Sequence, residues 1–278
     1  MSAMIISLAP PRRTLEFGPM SLTSWDRASR SLVEVAGARR PELAAVATAT
    51  PTLQQLFTFM RDAELRVQTL RLTIEERTWG ARGEQRTLID ALLRHPGFAR
   101  VTTSVPARGI KGNYELWLSD GDGVRTYSGI SRVGTDRPAR ERIRGVDDPD
   151  LPGSSRVYQP LTALPAETLP ETFVHPAGFC QNVLATGACR ISGTAEQNER
   201  EVIVIDCDHP RAVEVSADRP DHTLQVWVDR ETGIITRLVE RIAGQLTRDA
   251  VVTSLIPNAP LLPTAFDFTF PSDARILY

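Results

Sequence analysis

The side chains best suited to covalent or metal chemistry in this sequence are three cysteines and four histidines. Cys180 and Cys189 are close enough in sequence to close a loop as a disulfide, which requires an oxidising compartment. Without a recognisable export signal, the default expectation is reduced, structural thiols. Cys207 and His209 would have to join Cys180 and Cys189 to make a zinc site, but the pattern C-x8-C…C-x-H fits no common zinc spacing. No metal is therefore expected. The histidines are His95, His175, His209 and His222; three of them sit beside proline or at strand edges, and none lies in H-E-x-x-H. A hydrolase built from Cys180 and His175 would rest on sequence proximity alone. The chain contains no G-x-S-x-G, no G-x-x-x-x-G-K-[ST] and no G-x-G-x-x-G. Asp120-Gly-Asp122-Gly123 has the look of a calcium loop, but Ser131 stands where an EF-hand needs glutamate, so a turn is the expectation.

Two further groups are electrostatic or aromatic. Arg137, Arg140, Arg142 and Arg144 are followed at once by Asp147, Asp148 and Asp150, a self-compensating loop or else a docking site for another protein. Trp79, Trp117 and Trp227 fall in or beside expected strands, where core or sheet-face packing is favoured over a stacking platform.

The elements that must position these residues follow from periodicity. The 278 residues carry 41% hydrophobic and 24% charged side chains and a net charge of −2. That balance is ordinary for a globular chain and gives no electrostatic case for nucleic acid. No apolar run approaches the roughly 20 residues of a spanning helix, so no transmembrane segment is expected. On the sequence as written a cytoplasmic location is expected, with the cell envelope as the alternative if the start is misassigned. Residues 1–50 read as a flexible tail with a short helix at Trp25–Val35. Thr52 and Gln55 have capping-box spacing and open a helix running to about Glu64.

Val67–Thr78 then alternates with period two, as do Asn113–Tyr127 and His222–Asp229. Gln85–Arg94 reads as a helix, with Leu88, Ile89, Leu92 and Leu93 apolar. Phe98–Ser104, Gly187–Ile191, Glu201–Cys207 and Arg211–Ser216 read as strands, with Ser192–Arg200 a polar connection. Thr135–Pro176 reads as a long irregular insertion, with short helical turns at Ser155–Leu161 or Pro170–Val174. Glu231-Thr-Gly233 turns the chain back through Ile234–Arg241. Thr247–Ile256 and Ala265–Phe270 complete an antiparallel meander, which Pro271 ends because it has no N–H to donate.

Within that meander, Leu224-Gln-Val-Trp-Val-Asp229-Arg-Glu-Thr-Gly233-Ile-Ile-Thr-Arg237 resembles the strand–turn–strand signature of the lipoprotein-carrier superfamily. That superfamily includes the outer-membrane lipoprotein chaperones, the mycobacterial LppX group and the N-terminal domain of the sigma-E regulators MucB and RseB. Pro263–Pro271 resembles its last strand, and Thr52–Glu64 leading into Val67–Thr78 resembles its opening. The similarity spans about Pro51–Pro271. The expected helix Gln85–Arg94 and the segment at about 135–176 depart from the pattern as insertions.

The resemblance implies an α+β fold: a strongly curved antiparallel sheet, an unclosed half β-barrel, with helices covering its concave face. It also implies a single domain over residues 51–278 and a hydrophobic cavity that accepts acyl chains. The faces offered as cavity lining are Leu70, Leu72 and Ile74; Tyr114, Leu116 and Leu118; Leu224, Val226 and Val228; and Phe266 and Phe268 with Phe270. These faces either line a void or pack on the helices. The expected function is a non-enzymatic binding protein for a lipid or lipoprotein acyl chain, with no cofactor. The alternatives are a sigma-regulator-like module that binds another protein, through a sheet edge or the Arg-rich loop, and a hydrolase.

Overall fold

A computed structural model describes residues 46, 50–106, 113–139, 160–208 and 221–277, all within the compact unit Leu43–Tyr278. The expected helix at Trp25–Val35, the expected strand at Arg211–Ser216, residues 140–159 of the 135–176 segment and His209 lie outside the described residues. The element order is α1 (Leu53–Arg61), β1 (Thr69–Gly80), β2 (Gly83–Arg94), β3 (Phe98–Ser104), β4 (Tyr114–Asp120), β5 (Gly123–Ser128) and β6 (Val133–Pro138). After these come α2 (Leu169–Val174), α3 (Pro176–Asn182), β7 (Ala188–Gln197), β8 (Arg200–Asp208), β9 (His222–Asp229), β10 (Ile235–Ile242), β11 (Gln245–Pro257) and β12 (Arg275–Leu277). All twelve strands join one sheet in the order β12-β6-β5-β4-β3-β2-β1-β11-β10-β9-β8-β7. Every pairing is antiparallel except β12 on β6. The sheet has two edges, β12 and β7, and is not closed.

It is, however, strongly curved. At the β7–β8 turn, the side-chain amides of Gln197 and Asn198 donate to the Val252 carbonyl of β11, at 3.1 and 2.8 Å. In a flat sheet β8 and β11 stand three spacings, about 14 Å, apart. No single amide side chain spans that, so the hairpin end folds back over the sheet. Bulges supply the bend: register slips occur at Thr73/Ile74, Ile235/Arg237, Glu240/Arg241 and Ile191/Gly193.

The helical expectation for Gln85–Arg94 is corrected to strand β2. Thr87, Ile89, Ala91 and Leu93 are buried, while Leu88 and Leu92 are only partly so. Apolar residues at 88, 89, 92 and 93 satisfy a helical stripe, but they also satisfy two faces of a strand. Pairing with β1 and β3 on either side decides between them. The expected strand at Ala265–Phe270 is also corrected. Pro263–Phe266 is a single 3₁₀ turn, and Asp267–Phe270 joins no strand ladder. The segment Ser192–Arg200 is mostly strand, turning only at Asn198 and Glu199. The start of the expected insertion, Val133–Pro138, is strand β6.

Cross-strand register fixes which residues share a face. The inner face carries Leu70, Leu72 and Ile74 of β1, Ile89, Ala91 and Leu93 of β2, and Ala99 and Val101 of β3. It continues through Val252, Leu238, Leu224, Val226 and Val228 to Ile203 and Ile205. Over the β7–β11 half, α1 and α3 lay Leu56, Phe59, Met60 and Leu184 of the following turn into this face, and α2 adds Phe173. These side chains make one continuous core. Helix α1 starts as expected: Thr52 and Gln55 complete the capping box.

Candidate functional site

The two halves of the inner face differ in what covers them. Over β1–β6 a concavity of about 600 Å³ remains, walled on one side by residues 165–170. Ile89, Val101, Trp117 and Val133 line it from the sheet, and Pro165, Leu169 and Pro170 from the wall. Thr87, Thr103, Thr126, Thr135, Ser128 and Glu115 make its margin polar, and Glu76 meets Arg248 there at 2.7 Å. Volumes of this order hold small ligands. The lining is mixed rather than uniformly oily.

The sequence-derived lining residues divide between the two faces. Leu70, Leu72, Ile74, Leu224, Val226 and Val228 do face inward, within the packed core. Tyr114, Leu116 and Leu118 alternate with that face, although Leu116 still borders the concavity. Val101 and Ala99 of β3 pair with Trp117 and Ser119 of β4, so Trp117 points inward and Leu116 outward. The outward set is covered by the C-terminal segment. Phe266 packs on Phe98, and Phe268 and Phe270 pack on Tyr127, which also meets Tyr114. Gly134 leaves room for this, since an added Cβ would overlap the Phe270 ring. Phe266 and Phe268 thus belong to a second, small aromatic core on the convex side. Trp117, Ile89 and Val101, missed as site residues, become legible only once β2 is read as a strand and its register is known.

A buried polar cluster anchors the pocket wall. Glu64 sits just beyond α1 with its side chain 3% exposed, and it faces His175 Nδ1 at 3.2 Å. Glu64 Oε2 accepts the Leu161 N–H at 2.8 Å. His175 Nε2 donates to the Thr162 carbonyl at 2.9 Å, which requires a proton on Nε2. The Thr162 hydroxyl accepts from Gly97 N–H and bonds His95 Nδ1 at 2.7 Å. Burial pushes the His95 pKa down to about 4. Four separate stretches are so tied together: the end of α1, the β2–β3 turn, the start of the segment leading to the wall, and the α2–α3 junction.

The strand–turn–strand motif has a physical explanation. Asp229 is fully buried; Arg200 donates to its two carboxylate oxygens at 2.6 and 3.0 Å. Thr232 donates both its N–H and its hydroxyl to Asp229 Oδ1. Gly233 has φ 77, and a Cβ there would approach the Phe59 carbonyl at 3.0 Å. The Asp-x-x-Thr-Gly turn is the seat on which α1 rests.

The other candidates resolve as follows. Asp120 Oδ1 accepts the N–H groups of Asp122 and Gly123, making Asp120–Gly123 a turn, as expected. Cys180 Sγ faces Met60 Sδ at 3.7 Å while His175 is engaged by Thr162 and Glu64, so the two do not form a nucleophile–base pair. All three cysteines are free thiols. The alternative of a Cys180–Cys189 bridge is not the pairing the register offers, because Cys189 stands opposite Cys207. His222 pairs with Glu240 at 3.0 Å. Trp227 lies on the convex face beneath Arg237, at 5.0 Å from ring centre to guanidinium carbon. Among the described residues no cluster of metal-ligating side chains is found, and no helix is long and apolar enough to cross a membrane. Of the Arg-rich loop only Arg137 is described, on exposed β6.

No family model matches the chain, and no curated protein does. Solved structures do resemble it. An uncharacterised conserved protein from Thermus thermophilus aligns at 9% identity and TM-score 0.44, covering 81% of this chain and 98% of that one. MucB in the Pseudomonas aeruginosa MucA/MucB complex aligns at 12% identity and TM-score 0.43, over 77% of this chain and 60% of that one. The chain therefore spans about three fifths of MucB. A LolA superfamily protein, NE2245 from Nitrosomonas europaea, aligns at 9% identity and TM-score 0.34, over 79% of this chain and 99% of that one.

Proposed function

We propose that this protein is a non-enzymatic binding protein whose open concavity over β1–β6 takes an acyl chain of a lipid or lipoprotein. One observation supports the reading: helices pack on the inner face over β7–β11, while over β1–β6 a concavity bordered by Ile89, Val101, Trp117 and Val133 remains. Binding there would be driven by burial of apolar surface at about 25 cal/mol per Å². The threonines and the Glu76–Arg248 pair at the margin would keep the polar end of the ligand in water. The reading favours the cell-envelope alternative, where such ligands are handled.

The test is a series of saturated fatty acids of rising length, titrated by calorimetry. Each added methylene contributes about 0.8 kcal/mol, so Kd should tighten about fourfold per carbon until the concavity is full. Val101→Asp should abolish the effect. Affinity that does not change with length would overturn the reading.

A second reading, docking of a protein partner, is favoured by β7. This ten-residue strand is a sheet edge, and the side away from β8 offers its backbone groups to a further strand. Ile191→Pro should then break a complex seen in pulldown. Loss of the complex on deleting 135–152 instead would assign it to the Arg-rich loop.

A further inference from the structure

Cys189 and Cys207 are paired directly across β7 and β8. Residues so opposed have Cα atoms about 4.5–5.5 Å apart, within the roughly 4.4–6.8 Å that disulfides adopt. The side chains fall on the same face. Both sulfurs approach one acceptor, the Leu184 carbonyl in the turn after α3, Cys189 at 3.1 Å and Cys207 at 3.6 Å. Cys207 is fully buried, whereas Cys189 is partly exposed. Cys180, the third thiol, is turned toward Met60, and burial pushes its pKa up to about 12.

We propose that Cys189 and Cys207 form a dithiol–disulfide site that exchanges with a small disulfide such as oxidised glutathione. Cys189 meets the oxidant. Its thiolate attacks one sulfur of glutathione disulfide, and one glutathione leaves as the thiolate. Cys207 then loses its proton and attacks the Cys189 sulfur; the bond to glutathione breaks and the second glutathione leaves. Two protein thiols lose two protons and two electrons, and one glutathione disulfide becomes two thiols. The neighbouring Cys207 sulfur and burial raise the pKa of the Cys189 thiol. The opening attack is therefore the slow step, and Cys207, held directly across from Cys189, is placed to resolve the mixed disulfide. Once closed, the bridge staples the sheet's edge strand to its neighbour.

The experiment incubates the full chain with excess oxidised glutathione at pH 7 and pH 9 and maps the unreduced digest by mass spectrometry. The expected product is a Cys189–Cys207 linked peptide, formed faster at pH 9, with Cys180 alkylated only after denaturation. Cys180→Ser should leave the product unchanged. Cys207→Ser should stop at a mixed disulfide on Cys189, and if that variant misfolds, Cys189→Ser should leave Cys207 unmodified. A Cys180–Cys189 linkage, or three thiols still free after incubation, overturns the proposal.

Discussion

Asp229 holds a carboxylate entirely out of water, and the fold surrounds it with Arg200 and both donors of Thr232. Removing one partner of such a pair leaves the other uncompensated. Asp229→Ala should lower unfolding free energy by about 3 kcal/mol in urea titration, and Arg200→Ala should cost at least as much, because it strands a fully buried carboxylate, whereas the 22% exposed Arg200 left by the first change still reaches solvent and Glu231. Gly233→Ala should cost about 2 kcal/mol, since it meets both a left-handed backbone and the Phe59 carbonyl. His95 makes a pH prediction. Its folded pKa lies near 4, below the ordinary 6.5. The unfolded chain therefore binds the proton first as pH falls. Stability present above pH 6.5 should be lost progressively down to about pH 4, by about 3 kcal/mol from this group. Urea titrations at pH 7 and 4.5 should show a smaller acid loss in His95→Gln than in the parent chain.

At the scale of elements, β2 offers a direct discrimination between the strand found and the helix its composition implies. Leu93 is fully buried on the inner face, and Leu92 lies on the other side. Leu93→Ala should cost about 3 kcal/mol and Leu92→Ala under about 1. A helix with both leucines in its stripe would lose similar amounts at each. Much of the fold is legible in the sequence where one face of an element is wet. The capping box at Thr52, the turn at Asp120–Gly123 and strands β1 and β9 have clean patterns for that reason. The pattern fails where both faces are covered. In β4, Leu116 and Leu118 are as buried as any inward residue because the Phe266–Phe270 segment roofs the convex side. Alternation then shows that a strand exists but not which side faces the pocket, and a lining read from alternation alone falls on the wrong face. Register, which depends on neighbours far away in sequence, is needed to place Trp117.

For the whole molecule, curvature and uneven coverage matter together. A single long sheet bends until the β7–β8 turn reaches β11, and among the described residues α1 and α3 sit over one half of the trough while the start of α2 borders the other. The trough's other half is what a ligand could enter. A fatty acid bearing a photoactivatable diazirine at its tail tests this most directly, with crosslinked peptides mapped by mass spectrometry. Labels should fall on β4 around Trp117, on β2 and β3 around Ile89 and Val101, and on Pro165–Pro170, all competed away by unlabelled fatty acid. Labels confined to the convex Phe266–Phe270 segment, or scattered labels that unlabelled fatty acid does not displace, would contradict an acyl-binding trough.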